Sequence, residues 1–207
     1  MAGGFRSLDK RGQQNIPAYF ARHGMLGVTM NYRLAPAVAW PAQSLDIGAA
    51  VNWLKTNAER FGGDPKRIVI VGHSSGAGVV ASYVFDHSIE TTREGVVGAV
   101  LVSGVYGYNS KAPFYYGEDP TAASQREPRS HLKEQHPPVM VTAAEFDPAG
   151  ISADNHAFMA ALCMDDKRCP PFMLLAGHNH ASEIHSIDTA DDRLGGEVLA
   201  FVRAVAK

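Results

Sequence analysis

The chain has 207 residues, a formal net charge of -2 and two cysteines. That length supplies one domain with a core needing no staples, so a single domain over residues 1–207 is the expectation. The near-neutral charge gives no electrostatic handle for nucleic acid or an anionic membrane surface, and no apolar run is long enough to span a bilayer.

Taken in order, the elements alternate between helix and strand. Residues 9–23 read as a helix with Ile16, Tyr19 and Phe20 on one side. Residues 25–31 (MLGVTMN) read as a strand. Pro41 opens a helix to about Phe61, with Ile47, Ala50, Val51 and Leu54 at helical spacing. Gly62-Gly63-Asp64-Pro65 is a stop and turn. A short β-branched run, 67–71 (RIVIV), reads as a buried parallel strand, and the small apolar residues 77–84 read as a helix packed closely on a sheet. Further strands are expected at 96–102, 139–144 and 171–176, and further helices at 152–164 and 194–205. This order predicts βαβ units, hence an α/β fold with a mostly parallel sheet and helices on both faces.

Between the strand and the helix around residue 74 lies Gly72-His73-Ser74-Ser75-Gly76, a G-x-S-x-G pentapeptide. The pattern alone arises often by chance; strand, sharp turn and helix are the context in which it becomes a nucleophile elbow. Ser74 is the candidate nucleophile. A serine hydroxyl needs an adjacent base, and the base an orienting group. The acid is expected on the loop after strand 139–144, where Asp147 is preferred and Glu145 is the rival. The base is expected after strand 171–176, in Gly177-His178-Asn179-His180. His180 is preferred over His178, and His185 lies farther on. His73, inside the elbow, is expected to point away from the base and pack behind the site. The Ser75 amide, just past the elbow, is an expected oxyanion donor.

The longest irregular stretch, about 103–138, carries Tyr106, Tyr108, Phe114, Tyr115 and Tyr116. Such a loop after a strand end reads as a pocket cover, against the alternative of rings that merely close over the sheet end. Cys163 and Cys169 lie six apart with no further Cys or His at metal spacing, so a zinc site is not expected; free thiols and a disulfide both stay open. No signal-peptide pattern is visible, which favours a cytoplasmic location as an expectation.

In combination these motifs become specific. Residues 62–77 (GGDPKRIVIVGHSSGA) resemble the elbow region of α/β-hydrolase serine carboxylesterases. Asn31-Tyr32-Arg33-Leu34-Ala35-Pro36 resembles a segment of the hormone-sensitive-lipase-like branch, and Gly177-His178-Asn179-His180 with Ser182-Glu183 resembles small esterases grouped with bacterial feruloyl esterases and kynurenine formamidases. The resemblance implies a carboxylesterase acting on small or medium esters without cofactor or metal, with His180 as base. Aryl formamidase or feruloyl esterase, or a non-catalytic or partner-dependent hydrolase-like module, are the alternatives. It also implies an N-terminally truncated form. Gly3-Gly4-Phe5 and Asp9-Lys10 match the family's oxyanion segment, while Met1 and Ala2 stand where the family has His and Gly. The family's strand between 25–31 and 68–71 has no counterpart here. The sheet is then expected to close by direct pairing of those two segments or by a strand from another copy in a homo-oligomer.

Overall fold

The computed structural model describes residues 4–7, 9–107 and 113–207. Four strands, β1 (Ile68–His73), β2 (Val96–Val102), β3 (Val139–Phe146) and β4 (Phe172–Asn179), form one wholly parallel sheet in the order β1-β2-β3-β4. The crossovers carry α3 (Ser75–Phe85) between β1 and β2, α4 (Pro113–Tyr116) and α5 (Pro120–Arg126) between β2 and β3, and α6 (Ala149–Asp165) between β3 and β4. Ahead of the sheet lie α1 (Asn15–Arg22) and α2 (Ala42–Asn57); after it come α7 (Ser182–His185) and α8 (Arg193–Val205).

The central strands β2 and β3 read as unbroken apolar runs because both faces are covered there, and successive side chains go to opposite faces. On β2, Ala99 and Leu101 join a core with Val79, Val80, Tyr83, Phe158 and Leu162 from α3 and α6. Val100 and Val102 join the other core, with Tyr19 and Phe20 of α1 and Val198, Leu199 and Phe201 of α8. Gly72 is where β1 meets α3 most closely. A Cβ there would lie 2.5 Å from the Gly76 carbonyl oxygen and 2.7 Å from the Ala77 Cα.

Residues 25–31 do not form a strand, and the expected direct pairing of this segment with β1 is not present among the described residues. No segment pairs with the outer edge of β1. The segment lies across from β1 over an apolar groove of about 1210 Å³, lined by residues including Met25, Met30, Val51, Ile70 and Val202. A strand requires a partner for its N–H and C=O groups, and the composition of MLGVTMN cannot provide one. The same groove leaves Ile68 to Val71 only half-buried, where a fully buried strand was expected.

The 103–138 segment also departs from expectation. It carries α4, α5 and a 3-10 turn at Pro128–His131. Its rings are core, not cover: Tyr106, Tyr115 and Tyr116 are fully buried, Tyr106 stacked on Phe158 at 3.9 Å and Tyr115 on Phe5 at 4.0 Å. Tyr108 lies outside the described residues. Cys163 and Cys169 form a disulfide that clips the end of α6 to the following turn. Among the described residues no helix is long and apolar enough to cross a membrane.

Candidate active site

The first residue beyond the C-terminal end of each strand is polar: Ser74 after β1, Ser103 after β2, Asp147 after β3 and His180 after β4. A parallel sheet brings these four positions to one edge, where open α/β sheets bind ligands.

Ser74 occupies φ 57°, ψ -127°, a conformation a non-glycine residue holds at a cost of about 1–3 kcal/mol. The surrounding backbone enforces it. The Ser74 N–H donates to the Val102 carbonyl at 2.9 Å, tying the turn to β2. The Ser74 carbonyl receives the amides of Ala77 at 3.0 Å and Val105 at 3.3 Å. Ser75 then opens α3, placing its amide at the positive end of the helix dipole.

His180 and Asp147 are joined by a 2.7 Å hydrogen bond between Nδ1 and Oδ1. The other carboxylate oxygen of Asp147 accepts from the Ser103 hydroxyl at 2.6 Å and the Ala144 amide at 3.0 Å. Burial alone raises the Asp147 pKa, but the hydrogen bonds from His180, Ser103 and Ala144 outweigh it and hold the carboxyl below its ordinary 3.8. Asp147 is therefore an ionised acceptor that keeps the proton of His180 on Nδ1 and leaves the lone pair on Nε2. Among the described residues no hydrogen bond joins Ser74 Oγ to His180; contacts of this kind often tighten only when substrate is bound.

The rivals are engaged elsewhere. Glu145 is exposed and accepts the Gly177 amide at 2.7 Å. His178 pairs with Asp191 at 2.9 Å and contacts the Ser182 hydroxyl at 3.2 Å. His185 ends α7 and is exposed. Gly3 lies outside the described residues. Gly4 takes a left-handed φ of 57°, and the next residue, Phe5, donates its amide to the Ser75 hydroxyl at 3.0 Å. The Phe5 carbonyl accepts from Ala35 at 2.9 Å, and the Phe5 ring is buried against Tyr115, so the Gly4–Phe5 turn is held against the elbow.

Residues 1–95 match the BD-FAE family model. The chain is 30% identical to the esterase LipQ of Mycobacterium tuberculosis over 161 residues, which is 67% of this chain and 38% of that protein. Relatives such as LipQ and the probable carboxylic ester hydrolase LipM, also from Mycobacterium tuberculosis, are thus spanned over less than half their length. Among solved structures, esterase B from Lactobacillus rhamnosis superposes with a TM-score of 0.85 at 18% identity, over 99% of this chain and 74% of that one. A thermophilic esterase from Thermogutta terrifontis superposes with a TM-score of 0.75 at 21% identity, over 98% and 79%.

The chain has the α/β-hydrolase fold. Relatives that it matches include esterases and carboxylesterases, and Ser74, Asp147 and His180 follow one another in the order in which α/β-hydrolases carry nucleophile, acid and histidine.

Two residues near this sheet edge, Ser103 and Glu183, were given no role by the sequence reading. Ser103 carries the donor to Asp147, and its only signal was its place just past a strand end. Glu183, in α7, is wholly buried beside His180 and His73. His73 does not point away from the base as expected. Its ring lies 4.6 Å from that of His180, and its Nε2 is 2.8 Å from the His180 carbonyl oxygen.

His73, His180 and Glu183 bring ligand-type atoms within 4.8 Å of one another. The nitrogens facing Glu183 already bond to protein oxygens: His180 Nδ1 to Asp147 and His73 Nε2 to the His180 carbonyl. A metal ion there would have to break both bonds, so the trio fits a hydrogen-bonded support better than a metal centre.

Proposed function

We propose that the site is a carboxylic ester hydrolase working through an acyl-enzyme on small or medium esters. The 2.7 Å bond between Asp147 and His180, at the same edge of the parallel sheet as the strained Ser74, carries this reading. Ser74 Oγ attacks the ester carbonyl as its proton passes to His180 Nε2. The tetrahedral oxyanion is met by the Ser75 amide at the start of α3 and by that of Gly4, with Gly3 as the third expected donor. His180 returns the proton to the leaving alkoxide, which departs as the alcohol. Water then attacks the acyl-serine, again giving its proton to His180, and the acid leaves while Ser74 recovers its hydrogen. Asp147 stabilises the imidazolium formed in each half-reaction.

The aromatic segment lends no support to an aryl formamidase or feruloyl esterase, because Tyr106, Tyr115 and Tyr116 are consumed in the core. The test is hydrolysis of p-nitrophenyl acetate together with labelling by an organophosphate. Ser74→Ala should abolish both in a folded protein, leaving a rate only ~10³–10⁴ over water. His180→Ala should be comparably inactive, and His178→Ala should retain most activity. Absence of turnover and labelling in the unsubstituted chain would return the reading to a partner-dependent hydrolase-like module.

A further inference from the structure

Glu183 is the least explained group near the site. Its side chain has no exposure, and neither carboxylate oxygen has a hydrogen-bond partner. The nearest polar hydrogens belong to imidazoles: Oε1 lies 3.4 Å from His73 Nε2 and 4.0 Å from His180 Nδ1. His73 Nε2 faces the His180 carbonyl at 2.8 Å, an oxygen that only accepts, so Nε2 carries the hydrogen. The elbow and the histidine loop are thereby pinned together one residue from Ser74, with Glu183 beneath the joint.

A carboxylate buried without partners is costly unless positive charge stands beside it. Asp147 spreads its charge over three hydrogen bonds. Glu183 makes none. The other titratable groups facing the cluster are His73 at the end of β1, Asp147 after β3, and Tyr106 from the segment after β2. The Tyr106 hydroxyl is held neutral by burial and then by the charges of Asp154 and Glu183. None of these is a permanent cation. The positive charge that forms next to Glu183 is the imidazolium of His180.

We propose that Glu183 is a positioning residue, a second carboxylate that stabilises the His180 imidazolium and, through His73, holds the histidine loop against the elbow. This rests on the reading of His180 as the base. A charge fixed before the reaction needs no reorganisation when the imidazolium appears.

The experiment is a ring titration of ¹⁵N-histidine-labelled protein by NMR, beside the pH profile of kcat/KM with p-nitrophenyl acetate. A carboxylate favours the charged imidazole, so removing it lowers the pH at which His180 loses its proton. A unit charge at 4.0 Å is worth roughly one pH unit even under water-like screening, and more in a drier site. In Glu183→Gln the His180 midpoint should therefore fall by about one unit or more. The acid limb of kcat/KM should move with it, and KM should change less than about three-fold. A purely structural role would lower kcat without moving the midpoint, and an unmoved midpoint in a folded variant overturns the proposal. Should Glu183→Gln not fold, the unsubstituted protein labelled with ¹³C-glutamate decides: the Glu183 carboxyl resonance must step at the pH where His180 titrates, and the lack of that step is equally fatal. An inactive unsubstituted protein would sink the ester-hydrolase reading, while the ring titration would still judge the coupling between Glu183 and His180.

Discussion

Replacing Asp147 by asparagine removes a charge and poses a question the surrounding donors answer. In the folded chain Oδ2 receives the Ser103 hydroxyl at 2.6 Å and the Ala144 amide at 3.0 Å, while Oδ1 receives His180 Nδ1 at 2.7 Å. An asparagine has one acceptor oxygen to divide between these sides. Turned toward Ser103 and Ala144, it keeps both donors and presents its NH₂ to His180. Turned the other way, it sets NH₂ against the Ala144 N–H, which keeps only its longer 3.2 Å bond to the Ser103 hydroxyl. The first orientation wins. Nδ1 must then accept, the ring proton moves to Nε2, and His180 can no longer take the proton of Ser74. A wrong tautomer of this kind costs ~10⁴ in kcat, equivalent to about 5 kcal/mol of barrier. The assay is kcat and KM for p-nitrophenyl acetate, with thermal unfolding to confirm the fold and ring ¹⁵N shifts to read the tautomer. Glu145→Gln is the control. Glu145 is exposed and bonds only the Gly177 amide among the described residues, so kcat should change less than about three-fold. The reasoning fails if Asp147→Asn keeps more than about a tenth of wild-type kcat, or if Glu145→Gln is the damaging change.

Two further outcomes follow from the same coordinates. Gly72→Ala sets a Cβ 2.5 Å from the Gly76 carbonyl oxygen, a backbone atom that cannot swing aside. It should cost at least about 1–3 kcal/mol, read by calorimetry as a melting point lower by roughly 2–4 °C per kcal/mol, and activity should fall as the elbow shifts. For acid stability the sign comes from Asp147, whose folded pKa lies below 3.8. Its contribution is complete above the unfolded value and is lost as pH falls through the lower folded value. Urea unfolding of wild type and Asp147→Asn should thus differ at about pH 6, and that difference should shrink toward about pH 3. A constant difference would mean that Asp147 is not the ionised acceptor described.

The sequence by itself determined the parts whose signal is local. β2 was bounded correctly because Val96–Val102 is an apolar run closed by Gly95 on one side and Ser103 on the other. Ser74 was legible because glycines, a β-branched run and a small-residue helix surround it within a dozen positions. Asp147 and His180 could be chosen because strand order in a parallel sheet dictates which loops share an edge. The tertiary structure decided whatever depends on a distant partner. Residues 25–31 have the composition of a strand but no neighbour to bond, and a strand exists only as a pair. Tyr115 has the look of a pocket lining, but Phe5, more than a hundred positions earlier, draws it into the core. The loop of Cys163 and Cys169 closes because the chain turns back after α6, which spacing alone left open. The contacts of His73, Ser103 and Glu183 were not legible in sequence. Their roles arise from three-dimensional contact with His180 and Asp147, since hydrogen bonds and fields act over a few ångströms of space however many residues lie between.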